Sequence, residues 1–103
     1  MVDVKKNEVP ILFYLWECRP EERNARVVSD HLNLNYWNTC NIVTSLIDKG
    51  AFDRIRKGKR VYYTKPLKGF MYEALRILTS LPISKCATEF DSLMTDQKIN
   101  VER

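Results

Sequence analysis

LNLNYWNTCNIVTSLIDKGAFDRIRKGKRVYYTKP, residues 32–66, decides the fold of this chain. It opens on Asn33-Leu34-Asn35, one apolar anchor between two turn-forming amides. Asn35 stands where a helix cap belongs. From Tyr36 to Lys49 the residues Thr39, Ile42, Val43, Leu46 and Ile47 repeat at i, i+3, i+4, i+7 and i+8, the spacing of one buried helical stripe. Gly50 suits the C′ position that ends such a helix. Phe52 to Arg56 then alternates, Lys57-Gly58 turns, and Arg60 to Thr64 is rich in β-formers. This pattern predicts a hairpin in which Gly58 supplies a positive φ, with Pro66 ending the second strand.

Upstream, Asn24 predicts an N-cap for a helix over Ala25 to His31, with Ala25, Val28 and Leu32 at spacings of three and four. Arg19 to Glu22, with Pro20 and two acids, reads as a loop. Glu8 to Cys18 places Val9, Leu12, Phe13, Leu15 and Trp16 mostly on one helical face, and Pro10 fits the first turn, where its missing N–H has no partner to lose. Met1 to Asn7 is polar and expected to fray. Downstream, Phe70, Met71, Ala74, Leu75, Ile77 and Leu78 restore helical spacing over Leu67 to Leu81. Pro82 interrupts, and Ser84 to Met94 predicts a short last helix with Cys86, Phe90, Leu93 and Met94 on its apolar side. The expected fold class is mainly α with a small β-hairpin (α+β), and the 103 residues form a single domain. Within it, residues 8–66 are the core unit, 67–95 a C-terminal helical segment and 96–103 a frayed tail.

Charge is concentrated. Arg54, Arg56, Lys57, Lys59, Arg60, Lys65 and Lys68 lie within 51–68 against the single acid Asp53, so this segment carries +6, while the rest of the chain sums to −2. A local basic hairpin beside a helix pair is what a phosphate backbone attracts. No apolar run approaches the roughly 20 residues of a membrane span, and the stretch MVDVKKNEVP has no apolar signal core, so neither a membrane partner nor export is expected. Cys18, Cys40 and Cys86 are odd in number, widely spaced and without a CxxC pair, which fits reduced thiols and a cytoplasmic location. They match no metal-ligand pattern, so neither a metal nor another cofactor is expected. His31 is the only histidine, and no paired carboxylates, catalytic triad or phosphate loop can be assembled, so the chain does not read as an enzyme.

Helix, helix, short turn, helix, two-stranded ribbon, helix is the order of a winged helix-turn-helix, here with an additional C-terminal helix. In that fold the second helix of the pair enters the major groove of double-stranded DNA and the hairpin lies alongside as a wing. The side of the Tyr36–Lys49 helix left open by its apolar stripe offers Tyr36, Trp37, Asn38, Cys40, Asn41, Thr44 and Ser45. The predicted recognition set is Asn35, Tyr36, Asn38, Cys40, Asn41, Thr44 and Ser45. Asn can pair bidentately with adenine, and Ser or Thr can bond several bases or phosphates. The predicted wing set is Arg54, Arg56, Lys57, Lys59 and Arg60, which would hold phosphates without reading sequence. The Leu67–Leu81 segment has more apolar surface than so small a core needs. Phe70, Met71, Leu75 and Leu78, with Trp16, are therefore assigned to a homodimer interface, against the simpler reading that this helix packs on the first.

The same residues resemble the MarR-type and penicillinase-repressor (BlaI/MecI-type) winged-helix regulators. The matching positions are Leu34, Leu46, Gly50, Phe52, Arg54, Gly58, Lys59, Arg60, Tyr62 and Tyr63, and Leu15-Trp16-Glu17 is similar to the Leu-Trp-Glu helix of the penicillinase-repressor type. The resemblance covers about residues 9–66. It differs at the start of the recognition helix, where Tyr36-Trp37 replaces the usual small polar residues. It implies a homodimer on a palindromic operator acting as a transcription repressor. Two other uses of such a fold stay open at this stage: a non-specific architectural or partition DNA-binding protein, and a winged helix that binds protein. The operator and any small-molecule effector are not legible in the sequence.

Overall fold

The computed structural model describes residues 2–102, with side chains described from Val2 to Leu93. Five α-helices and one two-stranded antiparallel hairpin make up the described residues: α1 (Val9–Glu17), α2 (Ala25–His31), α3 (Tyr36–Asp48), β1 (Arg54–Lys57), β2 (Arg60–Tyr63), α4 (Lys68–Thr79) and α5 (Ile83–Glu102). Short 3-10 turns at Lys6–Glu8 and Pro20–Glu22 lead into α1 and towards α2. The fold is α+β and mainly helical.

The α2–α3 pair is built from local signals. Asn24 accepts the N–H of Val27 at 3.0 Å and Asn35 accepts that of Asn38 at 3.1 Å, so each helix starts on an amide cap contributing about 1 kcal/mol. Both helices also end the same way. After α3, Gly50 (φ +88°) donates to Ile47 O and Ala51 to Leu46 O; after α2, Asn33 (φ +56°) donates to Asp30 O and Leu34 to Ser29 O. These paired bonds are Schellman closures, and each needs a left-handed residue at its hinge. Asn33 therefore sets the direction in which α3 leaves α2.

The hairpin register pairs Arg54 with Tyr63, Ile55 with Tyr62, Arg56 with Val61 and Lys57 with Arg60. Its two-residue loop is Gly58-Lys59, not the expected Lys57-Gly58, with Gly first (φ +63°) as a type II′ turn requires. β1 begins two residues later than the alternation predicts, and Phe52 is buried before the strand starts. The base of the hairpin is tied down on two sides: Tyr63 N–H donates to Arg23 O at 2.8 Å, and Asp53 and Thr64 exchange two hydrogen bonds.

The core collects Ile11, Leu12 and Leu15 of α1, Val28 of α2, Ile42, Val43 and Leu46 of α3, and Phe70, Met71 and Ala74 of α4. The buried face of α1 is turned relative to the sequence expectation. Ile11 is fully buried, while Phe13 and Trp16 are only half-buried. Residues 8, 11, 12 and 15 are at i, i+3, i+4 and i+7, and position 8 is Glu8. Glu8 is 2% exposed, held by Lys49 Nζ at 2.8 and 3.0 Å, by the Lys5 N–H at 2.7 Å and by Ser45 Oγ at 3.4 Å. This ion pair fastens the C-terminal end of α3 to the start of α1.

Three expectations are corrected. The N-terminal segment does not fray throughout, because Val4 is buried in the core cluster and Val2 packs against it. Phe70 and Met71 are not free for a partner: they are buried in the chain's own core, and α4 packs directly on α1. Trp16 is likewise occupied, edge-on to Phe90 of α5 at 5.1 Å and beneath the Lys65 ammonium at 4.2 Å. Leu75 packs against the core, and of the five assigned dimer residues only Leu78 is well exposed, at 63%. The last helix runs from Ile83 to Glu102, longer than Ser84–Met94 and through the stretch expected to fray. The side-chain assignment of Met94 lies outside the described residues. No helix is long and apolar enough to cross a membrane.

Candidate nucleic-acid interface

One side of α3 belongs to the core and the other to solvent. Thr39, Ile42, Val43 and Leu46 are buried, whereas Tyr36, Trp37, Asn38, Asn41 and Thr44 are exposed. Trp37, Asn41 and Thr44 stand at i, i+4 and i+7 and so line one face. At the end of that line Thr44 Oγ1 accepts a hydrogen bond from Arg54 Nη2 at 3.1 Å. This bond places the root of the hairpin beside the exposed face of α3. The two elements named from the sequence therefore form one surface.

Along the hairpin, Arg54, Arg56, Lys57, Lys59 and Arg60 are all exposed. The register sorts them by face. Arg54 and Arg56 share the side of Val61 and Tyr63; Lys57 and Arg60 share the side of Ile55 and Tyr62. Lys57 lies 5.9 Å over the Tyr62 ring. Arg56, Lys59 and Arg60 enter no ion pair among the described residues, so their charge is available to an external anion.

A cavity of about 510 Å³ opens where the N-terminal ends of α2 and α3 meet β2, lined among others by Glu21, Arg26, Tyr36, Cys40, Arg60 and Tyr62. Arg26 lies 4.9 Å over the Tyr36 ring, and Tyr36 meets Trp37 edge-on at 5.5 Å. The Cys40 side chain, first through hydrogen bonding and then electrostatically, raises the Tyr36 hydroxyl above the ordinary tyrosine pKa. Burial, chiefly, raises that of Tyr63. Both hydroxyls stay protonated at neutral pH and remain donors.

Three members of the predicted recognition set have other work. Asn35 commits its side-chain oxygen to the α3 cap. Ser45 is half-buried and donates to Glu8. Cys40 is half-buried beside Tyr36. Asn38, Asn41, Thr44 and Tyr36 remain on the open face. Sequence reasoning did not place Arg26 in the site, although a basic residue in the first turn of α2 was visible; its stacking on Tyr36 needed the three-dimensional arrangement. The thiols of Cys18, Cys40 and Cys86 are free, and no group of three metal-ligating side chains occurs among the described residues.

None of the protein-family models, curated proteins or solved structures compared with the chain matches it.

Proposed function

We propose that this chain is a winged helix-turn-helix protein that binds double-stranded DNA sequence-specifically and acts as a small homodimeric transcription regulator, in the simplest case a repressor that blocks a promoter. In this reading α3 is the recognition helix in the major groove and the β1–β2 hairpin is the wing on the phosphate backbone. The observation that carries the proposal is the Arg54–Thr44 hydrogen bond, which sets the polar face of α3 and the cationic hairpin side by side. Amide and hydroxyl groups suit base edges, and unpaired cations suit phosphates. The surface thus offers both kinds of group that a sequence-specific reader needs.

Phe70 and Met71 cannot supply the homodimer interface, which would have to use what α4 and α5 leave exposed, namely Leu78, Ile83 and Leu93.

The test is fluorescence anisotropy with the DNA upstream of the chain's own gene against a scrambled duplex of equal length, at two salt concentrations. A sequence-specific regulator should prefer the upstream DNA by roughly 10³-fold or more. Equal affinity for both duplexes would assign an architectural role instead, and no binding at low salt would overturn the DNA reading.

A further inference from the structure

We infer that Trp37 is a base-reading residue whose indole contacts the C5-methyl groups of thymines in the major groove, so that thymine is part of what the protein recognises. The inference rests on the DNA-binding reading and adds to it a ligand chemistry for one side chain.

Trp37 is 74% exposed, more than any other large apolar side chain among the described residues. It is the second residue of α3, and in a helix-turn-helix the first turn of this helix faces the base edges. It is also propped. The Tyr36 ring stands edge-on to the indole with an interplanar angle of 78°, and Tyr36 is itself covered by the Arg26 guanidinium. An aromatic side chain in contact with a neighbouring ring has less rotamer freedom to lose on binding than one standing alone. Nothing in the fold requires it there, since the buried stripe of α3 is complete without it.

The chemistry narrows what such a group can meet. Indole carries one N–H donor, no charge and a large apolar face, so it is a poor partner for phosphate. The Trp37–Asn41–Thr44 line, with Asn38 beside it, supplies the hydrogen-bonding groups that flank it, and the hairpin supplies the charge. Among the groups on the floor of the major groove, the thymine C5-methyl is the apolar one. An indole at the leading end of the helix therefore complements thymine and leaves the amides to read adenine.

The experiment uses the tightest duplex selected by the wild-type protein from a randomised pool, synthesised with thymine and then with deoxyuridine, which removes only the methyl groups. Wild-type protein should lose about four-fold in affinity per methyl contacted, the factor for one buried methylene-sized group. Trp37→Ala should bind the thymine duplex roughly thirty-fold more weakly, as for loss of an aromatic anchor, and should no longer distinguish the two duplexes. Equal binding of both duplexes by wild type, or retained discrimination by Trp37→Ala, overturns the inference and leaves the DNA reading intact. Failure of the wild type to select or bind any duplex overturns the DNA reading and this inference with it. The base substitution leaves the protein untouched, so the wild-type comparison is independent of folding, and a Trp37→Ala variant that keeps the wild-type melting temperature separates loss of the contact from loss of the fold.

Discussion

Replacing Arg56, Lys59 and Arg60 together by alanine should change how binding responds to salt more than it changes which sequence is bound. All three side chains are exposed and none enters an ion pair among the described residues, so removing them breaks no internal salt bridge. The hairpin keeps Gly58 at its turn and Tyr63 at its anchor, so the fold should persist. Each phosphate contact contributes about 0.9 to the slope of log affinity against log salt. If each side chain holds one phosphate, the triple variant loses about 2.7 from that slope. Over a four-fold rise in salt, wild-type affinity should then fall about 40-fold further than the variant's. Arg54 is left in place because its guanidinium is bonded to Thr44, and its removal would confuse phosphate contact with the packing of hairpin on helix. Anisotropy titrations at four salt concentrations, on the preferred duplex and its scrambled counterpart, give the slope and the preference together. An unchanged slope would refute the assignment of the hairpin to the phosphate backbone, whatever happened to affinity at one salt concentration.

Asn38→Ala or Asn41→Ala should cost about 1–3 kcal/mol on the preferred duplex and relax the choice of base at one position, read by the same titration against single-base variants; uniform weakening of all duplexes would exclude base readout by that amide. Glu8→Ala should destabilise the fold by about 3 kcal/mol, the low end for breaking a buried ion pair because the Lys49 side chain keeps 21% of its surface in water. Urea melts would reveal it, as would a fall in melting temperature of about 12 °C or more, and an unchanged midpoint would mean that this pair does not fasten α3 to α1. Asn24→Ala should cost about 1 kcal/mol in the same melts without altering the salt slope, since what is lost is the cap of α2 and an exposed hydrogen bond to Glu21 O, neither of them a cation of the hairpin.

The elements that could be read from the sequence are those whose signals are local. Asn24 and Asn35 cap the helices assigned to them, and Gly50 ends α3 through the left-handed closure expected of it. The errors arise where a residue's role depends on something distant in the chain. Ser45 lies on the flank of α3 between its buried and open faces. Only the arrival of Glu8 from 37 residues away turns it inward. Phe70 and Met71 read as surplus in the sequence because the burial of Val4 and Ile11, which enlarges the core they fill, has no local signal. Met71 is in fact completely buried. Glu8 itself carried no local sign of burial, as a lone acid before Val9-Pro10 reads as a first-turn charge. Lys49, brought beside the start of α1, supplies the charge that lets Glu8 be buried, and Ser45 and the Lys5 N–H complete its hydrogen bonds.

The arrangement separates holding from reading. The ends of α3 are satisfied by Asn35 and Gly50, its inner side by the apolar stripe, and its far flank by the Glu8–Lys49 pair. Trp37, Asn38 and Asn41 are left with no structural duty. Substitutions there should therefore move affinity and leave the melting temperature alone, whereas those at Glu8 or Asn24 should do the reverse. The Thr44–Arg54 bond is the one place where the two tasks meet. It joins an exposed helix face to an exposed strand, in water, where a single hydrogen bond contributes only about 1 kcal/mol. Such a joint fixes where the hairpin starts while leaving its tip, four residues further on, free to follow the backbone of whatever duplex α3 enters.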